Sequence, residues 1–381
     1  MLIDPLKLYE NEENYMHTII MFPSTAAEAK STPTNQLTAI NYDEAEQQFI
    51  KLLEMEDLDK NLGTQPEIVS NVERAIATAL KDAYEGESGS DAAHRFLQRV
   101  LYRINRLKLF CYDDLRRYTN ERSPYLRTVR DQIEEAHQQW ELAQLDVAAF
   151  QGLDVRQALL DRVAADLNPE PSVDSLFFRD QVTEVGYRRL LAIASLDGLV
   201  EASQLSRTLG GVGNEVNSVL TRLLVEEYGG GRLARKHSSF FTTMLAELDM
   251  QTEPEAYFDL VPWELLAAIN HSFLLTERKR YFLRYIGGLL YGELSVPAGF
   301  SNYRAAAERL GLSPAARAYW DLHIKVDELH GRWMLDDVAL PLAVQYPTDA
   351  WELLLGYDQQ RLMSDRAGAA VTRSVREAEF A

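Results

Sequence analysis

Apolar residues recur at helical spacing over most of the chain after residue 40. Ala45, Phe49 and Leu52 repeat every three or four positions, and Ile68 and Val72 continue the pattern. This period places apolar side chains along one face of an α-helix. Strict alternation of apolar and polar positions, which would indicate β-strands, is not sustained anywhere in the sequence. The pattern therefore predicts an all-α fold.

The same periodicity sets approximate bounds for the longer helices. In a helix at about 92–118, Phe110 and Cys111 would lie on the buried face. The Gly229-Gly230-Gly231 run has no Lys-Ser/Thr after it, so we interpret it as a turn rather than as a phosphate-binding loop. The other predicted long helices span about 123–148, 175–207, 214–227, 232–248, 262–271, 277–292, 301–310 and 314–338.

Breaks in the pattern divide the chain into four parts. Residues 1–40 show little periodicity and are predicted to form an irregular arm. Residues 41–155 are expected to be a helical N-terminal domain whose apolar stripes could pack against a second copy. Residues 156–350 form a second helical domain, with prolines at 169 and 171 near its start. Residues 351–381 are expected to form a C-terminal helix or tail.

Charge and composition exclude several classes of function. The net charge of -19 argues against a surface that binds nucleic acid, since such surfaces depend on clustered Lys and Arg. Cys111 is the only cysteine, which rules out intrachain disulfides and cysteine-rich metal sites. The sequence shows neither a signal peptide at its start nor an apolar run long enough to cross a membrane. We therefore expect a cytoplasmic protein with no membrane association.

The predicted helix at 314–338 carries the most specific pattern. His323, Asp327 and His330 stand at i, i+4 and i+7, so their side chains project from one stripe of that helix. Two imidazoles and a carboxylate suit iron, manganese or zinc, and no thiolate is present to favour softer metals. This stripe is the first part of a predicted metal site.

Four more residues of the second domain are candidate ligands. Glu227 and His237 have the spacing E-x9-H, and Glu293 lies near the end of an apolar segment, where an unpaired carboxylate is costly to bury. Glu201 also adjoins an apolar helix face. With the stripe they make four carboxylates and three imidazoles, enough for two ions. Such a donor set points to iron or manganese, because calcium rarely uses histidine.

Other polar residues near these patterns have simpler interpretations. Acidic residues beside the predicted ligands are expected to be solvated charges, and the remaining histidines are expected to have core or surface roles. These acids are Glu226, Glu328, Asp336 and Asp337, and these histidines are His17, His94, His137 and His271.

Together, the E-x9-H pair, the acid before Val296-Pro297 and the closing H-x3-D-x2-H resemble the heme-oxygenase-like diiron oxidases, or iron-containing redox enzymes. The resemblance covers about residues 160–345. It implies a heme-oxygenase-like helical bundle, two iron ions that cycle between Fe(II) and Fe(III), O2 as co-substrate and no heme. All seven residues would then be metal ligands.

The resemblance also suggests which residues hold each ion. His237 and His323 would ligate one iron, while Asp327 and His330 would favour the other. The glutamates Glu201, Glu227 and Glu293 would bridge the irons or complete their shells. Of these, Glu227, His237, Glu293, His323, Asp327 and His330 are the residues expected to carry catalysis.

The position of Glu201 ahead of Glu227 is similar to the central domain of nitrosourea-forming N-oxygenases. This resemblance implies N-oxygenation of an amine or guanidine in a small substrate that is arginine-like or another amino-acid derivative, within specialised metabolism. It also implies an external electron donor and a homodimer formed through the N-terminal helices. The chain leaves no room after residue 350 for the C-terminal cupin domain of those enzymes, so N-oxygenation is expected without nitrosourea formation.

Two alternatives remain open at this point. The same diiron centre could perform oxidative C-C cleavage or decarboxylation of a fatty or amino acid. The chain could instead be a non-catalytic helical dimer that binds metal or a partner protein.

Overall fold

The structure is a computed structural model that describes residues 40–85, 89–111 and 114–380. The predicted N-terminal arm and His17 lie outside the described residues, apart from Ile40. No β-strand occurs within these ranges, and the predicted all-α class is confirmed. None of the described helices combines the length and the apolar character that a membrane-spanning segment needs. The α-helices are α1 (Tyr42–Leu53), α2 (Leu58–Asn61), α3 (Pro66–Tyr84), α4 (Asp91–Asn105), α5 (Pro124–Leu142), α6 (Val147–Phe150), α7 (Val155–Asp166), α8 (Val173–Asp180), α9 (Glu184–Gly198), α10 (Ser203–Ser206), α11 (Glu215–Glu227), α12 (His237–Glu247), α13 (Trp263–Glu277), α14 (Phe282–Arg309), α15 (Pro314–Arg332), α16 (Leu340–Gln345) and α17 (Trp351–Glu379).

Three long helices form the middle of the fold. Helix α14 packs along α17 on one side and along α15 on the other. Ile286 and Leu353 are fully buried in the apolar core that α14 and α17 share. A Cβ atom added to Gly356 would lie 1.9 Å from the carbonyl oxygen of Arg284, so the two backbones are in direct contact there. The glycine in α17 is what allows this close approach.

Helix α15 begins at a strong start signal. The Ser313 hydroxyl accepts a hydrogen bond of 3.2 Å from the backbone N–H of Ala316, and Pro314 occupies the first helical turn. A serine cap followed by proline is typical of helix N-termini, because it satisfies a free N–H and fixes the first φ angle. Trp320 and Tyr319 then bury the inner face of α15 against α9 and α12.

The N-terminal helices join the rest of the fold through polar contacts. Asn105 of α4 donates to the Asn270 side chain of α13 over 3.1 Å. Arg99 donates to Asp259 over 2.7 Å. Asn41–Ala381 form one compact unit, so the predicted N-terminal domain is described together with the second. Its predicted role in dimerisation stays a prediction.

The predicted helix at 92–118 was wrong in its second half. Helix α4 ends at Asn105, a short 3-10 turn follows, and Leu109 adopts an extended backbone. Phe110, predicted to be buried, is 92% exposed, and Cys111 is half-buried. The apolar spacing in the sequence continues to Phe110, but a helix is stable only as far as its apolar face packs against other helices. Helix α4 therefore ends before the apolar spacing does.

The predicted break between 277–292 and 301–310 was also wrong. Helix α14 continues through Pro297 as one element. A proline inside a helix removes one hydrogen bond, here the one that the carbonyl of Glu293 would accept. Contacts with α15 and α17 along both flanks of α14 outweigh that loss.

Three histidines outside the predicted metal site lie in the core between the N-terminal helices and α13. His94, His137 and His271 are each at most 3% exposed. The His94 ring stacks on Trp263 with ring centroids 4.1 Å apart, and Gln138 lies 2.8 Å from His271 Nδ1. Burial lowers the pKa of His94 to about 4 and that of His271 to about 3, and it also lowers the pKa of His137. All three are therefore neutral in the folded protein near pH 7.

We expect the stability of the protein to fall as the pH drops from about 6.5 toward 4. A histidine in the unfolded chain has a pKa of about 6.5. Below that pH the unfolded chain therefore binds protons at these three histidines, whereas the buried rings of the folded protein stay neutral. The stabilising contribution is complete above about pH 6.5 and is lost as the pH approaches the lowered values. Melting temperatures measured between pH 7.5 and 5 test this. The His271→Asn variant keeps an acceptor for Gln138 but has no ring that titrates, so its melting temperature should depend less on pH. An unchanged dependence on pH would contradict the conclusion that His271 is neutral in the folded protein.

Candidate metal centre

A glycine turn explains the E-x9-H spacing. Helix α11 ends at Glu227 and α12 begins at His237. The intervening Gly229 has a φ of 61°, and a Cβ atom there would lie 2.3 Å from the carbonyl carbon of Arg235. Only glycine fits this reversal. As a result the Glu227 Oε2 atom lies 2.8 Å from His237 Nδ1.

The predicted stripe of α15 faces this turn. His323, Asp327 and His330 are 7%, 3% and 0% exposed, so their polar atoms are inside the protein. His323 Nε2 lies 3.3 Å from His237 Nδ1, and His330 Nδ1 lies 3.5 Å from Glu227 Oε1. The i, i+4, i+7 spacing thus places all three side chains against the ends of α11 and α12.

The two remaining predicted acids approach from other elements. Glu293, within α14, has its Oε2 atom 3.3 Å from His330 Nδ1. Glu201 lies in the turn after α9, just before Ala202 at a φ of 61°, and its Oε2 atom is 3.6 Å from His323 Nε2. All seven residues predicted from the sequence therefore converge on one place.

Six of the seven side chains form two groups that share one residue, and Glu293 adjoins the second group through His330. Donor atoms of Glu201, Glu227, His237 and His323 lie within 4.8 Å of one another, and so do those of Glu227, Asp327 and His330. The two oxygens of Glu227 face different groups, Oε2 toward His237 and Oε1 toward His330. Glu227 is therefore the residue that the two groups have in common.

The electrostatics of the cluster are those of a site that a cation would stabilise. Burial raises the pKa of Asp327 to about 10, with help from the charges of Glu293, Glu227 and Glu201. Burial likewise raises the pKa of the Glu201 and Glu293 carboxyls. Without a cation these acids resist ionisation, because like charges are crowded in a medium of low dielectric constant.

Several buried donor atoms also lack a hydrogen bond to the described residues. These atoms are Glu201 Oε1, in the turn after α9, and Asp327 Oδ1 and His330 Nδ1, both on α15. A buried polar atom without a partner is destabilising, and bound metal would supply a partner to each of them. Carboxylate oxygens and imidazole nitrogens without thiolate fit iron or manganese.

Outer contacts fix which nitrogen of each α15 imidazole faces inward. His323 Nδ1 lies 2.8 Å from the carbonyl oxygen of Tyr319, so it carries the proton and donates, leaving Nε2 free. His330 Nε2 lies 3.3 Å from Glu226 Oε2, which leaves Nδ1 facing the cluster. The Tyr319 hydroxyl donates to Glu201 Oε2 over 2.7 Å. Such supporting contacts orient ligands and set their tautomers.

Two of these supporting residues were not identified from the sequence. Glu226 was interpreted as a solvated charge; its side chain is 36% exposed, but its carboxylate also lies 3.3 Å from His330 Nε2 and 3.4 Å from Arg222. Tyr319 could have been found, since it stands one helical turn before His323 on the same stripe. The solvated character predicted for Glu328 is seen, because that side chain is 64% exposed.

A cavity of about 1250 Å³ opens beside the cluster. Its inner wall includes Glu201, Glu227, Glu293, His323 and Asp327, so the predicted ligands are reached from one side. Aromatic rings line the wall next to them, and the cavity extends outward to the exposed segment 168–172. The aromatic rings are those of Phe241, Phe300, Tyr319 and Trp320. This arrangement can hold a small molecule against a metal centre.

One comparison with known protein families matches the part of the chain that holds these seven residues. A family model described as an iron-containing redox enzyme matches residues 188–361. A nitrosourea synthase of Streptomyces achromogenes subsp. streptozoticus is similar to this chain, with 24% identity over 168 residues. The similar region is 44% of this chain and 36% of that relative, so the chain matches about a third of the relative's length.

Proposed function

We propose, on the premise that residues 188–361 belong to the iron-containing redox enzyme family, that this chain is a non-heme diiron oxygenase. The family makes the chain an iron-containing oxidoreductase with an oxidase or oxygenase role. The proposed reaction is N-oxygenation, in which O2 hydroxylates an amine or guanidine nitrogen of an amino-acid-derived substrate. The proposed cofactor is two iron ions without heme.

The proposal of two iron ions rests on Glu227, because this residue belongs to both groups of ligands. One ion would bind Glu201, His237 and His323, and the other would bind Asp327, His330 and Glu293. Glu227 would be a ligand common to both, since its Oε2 atom lies against His237 and its Oε1 atom against His330. Donor atoms that divide into two groups around the two oxygens of one carboxylate favour two ions over one.

Iron held at this site supplies the binding and reduction of O2. The chain supplies orientation and protection. Tyr319 holds Glu201 through its hydroxyl and His323 through its carbonyl, so one residue positions two ligands. Glu226 accepts a hydrogen bond from the N–H of His330 Nε2 and keeps Nδ1 directed inward. Phe300 and Trp320 form part of an apolar wall that excludes water from one side of the centre.

The substrate class is supported by the relative rather than by the site alone. A nitrosourea contains a nitrogen–nitrogen bond, and making one requires oxidised nitrogen. Similarity to a nitrosourea synthase over 168 residues therefore favours nitrogen as the atom that is oxygenated. Hydroxylation of an N–H bond places one oxygen atom on nitrogen, reduces the other to water and consumes two electrons and two protons. An external electron donor would supply the electrons, and the enzyme would act as a homodimer through its N-terminal helices.

Anaerobic titration with Fe(II), followed by O2, tests the proposal. We expect two equivalents of iron to bind, because six of the seven proposed ligands form two groups. O2 consumption should then increase with a suitable amine or guanidine. The mass of the product should be that of the substrate plus one oxygen atom, and nitrogen-15 labelling should place that atom on nitrogen.

Other outcomes identify the alternatives. Loss of CO2 or of a carbon fragment would favour oxidative C-C cleavage or decarboxylation at the same centre. Iron binding without O2 consumption, or no iron binding, would favour a non-catalytic helical dimer and would contradict the proposed oxygenase.

A further inference from the structure

The outer nitrogens of the two α15 histidines are held in different ways. His323 Nδ1 donates to the carbonyl oxygen of Tyr319, which belongs to the backbone of the same helix and cannot turn away. His330 Nε2 instead lies 3.3 Å from Glu226 Oε2, at the end of a partly exposed side chain. A partly exposed glutamate can adopt several rotamers, so a further contact is needed to keep its carboxylate on His330.

Arg222 makes such a contact from the preceding turn of α11. Its Nε atom lies 3.4 Å from Glu226 Oε1, so the two oxygens of Glu226 face different partners, Arg222 and His330. An exposed i, i+4 ion pair contributes little when it stands alone, because water and salt screen it and both side chains lose freedom. The pair can hold Glu226 in one position only if something else fixes the guanidinium of Arg222.

Trp333 fixes the guanidinium. The Arg222 Cζ atom lies 3.6 Å from the centroid of the Trp333 ring, which is within the range of a cation–π interaction. Trp333 is itself buried, and the centroid of its ring lies 5.6 Å from that of His330. The contacts therefore form a closed loop in which each side chain touches two others. The four members of the loop are Arg222, Glu226, His330 and Trp333.

We propose that Arg222 is a positioning residue for the metal centre. It keeps the Glu226 carboxylate on His330 Nε2, and it thereby holds His330 Nδ1 toward the ion that His330 would bind. Outer partners of this kind fix the ring orientation of a ligating histidine and increase its affinity for metal. This inference rests on the proposed function and deepens it, because it assigns a residue that acts on the centre only through Glu226.

The direction of the expected effect separates positioning from charge. If Arg222 acted on the bound ion mainly by Coulomb repulsion, removing its positive charge would strengthen metal binding. If Arg222 acts by positioning, its removal should weaken binding, because the Glu226 carboxylate then leaves His330 Nε2. The two explanations therefore predict opposite changes in the dissociation constant.

Titration of the metal-free full chain with Co(II) tests the proposal, since Co(II) binds the same nitrogen and oxygen donors as Fe(II) and absorbs visible light. We would measure the dissociation constants by calorimetry and by the absorption of bound Co(II). The unmodified protein should bind two equivalents. In Arg222→Met one of the two constants should rise roughly 3- to 10-fold, and the other should not change.

A double variant tests whether Arg222 acts through Glu226. Glu226→Gln should raise the same constant roughly 10- to 100-fold, because it removes the charged partner of His330 Nε2. Adding Arg222→Met to Glu226→Gln should then have no further effect, since the two residues belong to one chain of contacts. A loss of stability alone would not produce this dependence of one substitution on the other.

Arg332→Met is the matched control for Arg222→Met. Arg332 also pairs with a glutamate at i, i+4 spacing, donating to Glu328 over 2.7 Å, and the two arginines are 70% and 60% exposed. Among the described residues, neither Arg332 nor Glu328 has an ion pair with a proposed ligand. Both dissociation constants should therefore match those of the unmodified protein. Unchanged or tighter binding by Arg222→Met, or a further effect in the Glu226→Gln background, would overturn the inference.

Loading the same proteins with Fe(II) and exposing them to O2 separates this inference from the proposed function. If Arg222→Met weakens the binding of one ion but the unmodified protein consumes no O2, only the proposed oxygenase fails. If O2 is consumed and Arg222→Met binds both ions as tightly as the unmodified protein, only the role of Arg222 fails. Binding of no metal by the unmodified protein would overturn both.

Discussion

Replacing Glu227 by alanine is expected to abolish the binding of both iron ions rather than of one. Its Oε2 atom lies 2.8 Å from His237 Nδ1 and its Oε1 atom lies 3.5 Å from His330 Nδ1, so each proposed ion loses a ligand. The ions also lose the negative charge between them, and their mutual repulsion then acts without compensation. Iron content measured after anaerobic loading and desalting should fall from about two equivalents to near zero.

Variants that lose a ligand of only one proposed iron ion provide the comparison for Glu227→Ala. His237→Ala removes a ligand from one group only, and His330→Ala removes one from the other. Each should keep about one equivalent of iron. Glu328→Ala is the control, because Glu328 follows Asp327 on the same helix but is exposed and pairs with Arg332. It should bind two equivalents.

The Glu227→Ala chain itself should remain folded. Removing Glu227 takes away the partner of His237 Nδ1, but it also relieves the crowding of buried carboxylates around Asp327. Because these two effects oppose each other, the melting temperature before iron loading should stay close to that of the unmodified protein. Retention of one full equivalent of iron by Glu227→Ala would show that the carboxylate does not bridge.

The positions of the proposed ligands could be predicted because most of them depend on local geometry. His323, Asp327 and His330 share a stripe of one helix by spacing alone. Glu227 and His237 are the last and first residues of consecutive helices joined by a short turn, so their proximity is also local. In both cases few residues separate the partners, and the backbone has little freedom to move them apart.

The residues that sequence reasoning missed depend on distant contacts. Glu226 and Glu227 are neighbours in sequence, but only the position of α15 decides that Glu226 meets the outer nitrogen of His330. An acid on a helix looks the same in sequence whether it faces water or a cavity.

Helix ends were also hard to predict, for a related reason. The apolar spacing near Phe110 continues beyond the last neighbour of α4, whereas α14 passes through Pro297 because packing supports it on both sides. Local propensity favours or disfavours a helix by about 1 to 3 kcal/mol at such positions, and burial along a whole flank can exceed that. Tertiary packing therefore overrode the local signals in both places.

The contact between α14 and α17 leads to the second large expected effect. Gly356→Ala should lower the free energy of unfolding by roughly 3 kcal/mol. A Cβ atom at that position would lie 1.9 Å from the carbonyl oxygen of Arg284, which is backbone and cannot rotate away. The two helices must separate to accept it, and the apolar core between them then packs less tightly. Chemical denaturation monitored by circular dichroism measures the change.

Gly368→Ala in the same helix is the matched control for Gly356→Ala. No atom lies within 4 Å of a Cβ placed at Gly368, so the substitution only improves helix propensity and should stabilise the protein by up to about 1 kcal/mol. Gly287→Ala meets the carbonyl oxygen of Leu353 at 2.0 Å and should destabilise the protein as Gly356→Ala does. The double variant should cost less than the sum of the two, because either methyl group already separates the same helices. If Gly356→Ala were as stable as Gly368→Ala, α14 and α17 would not be in backbone contact. The position of α14, and with it that of Glu293, would then be wrong.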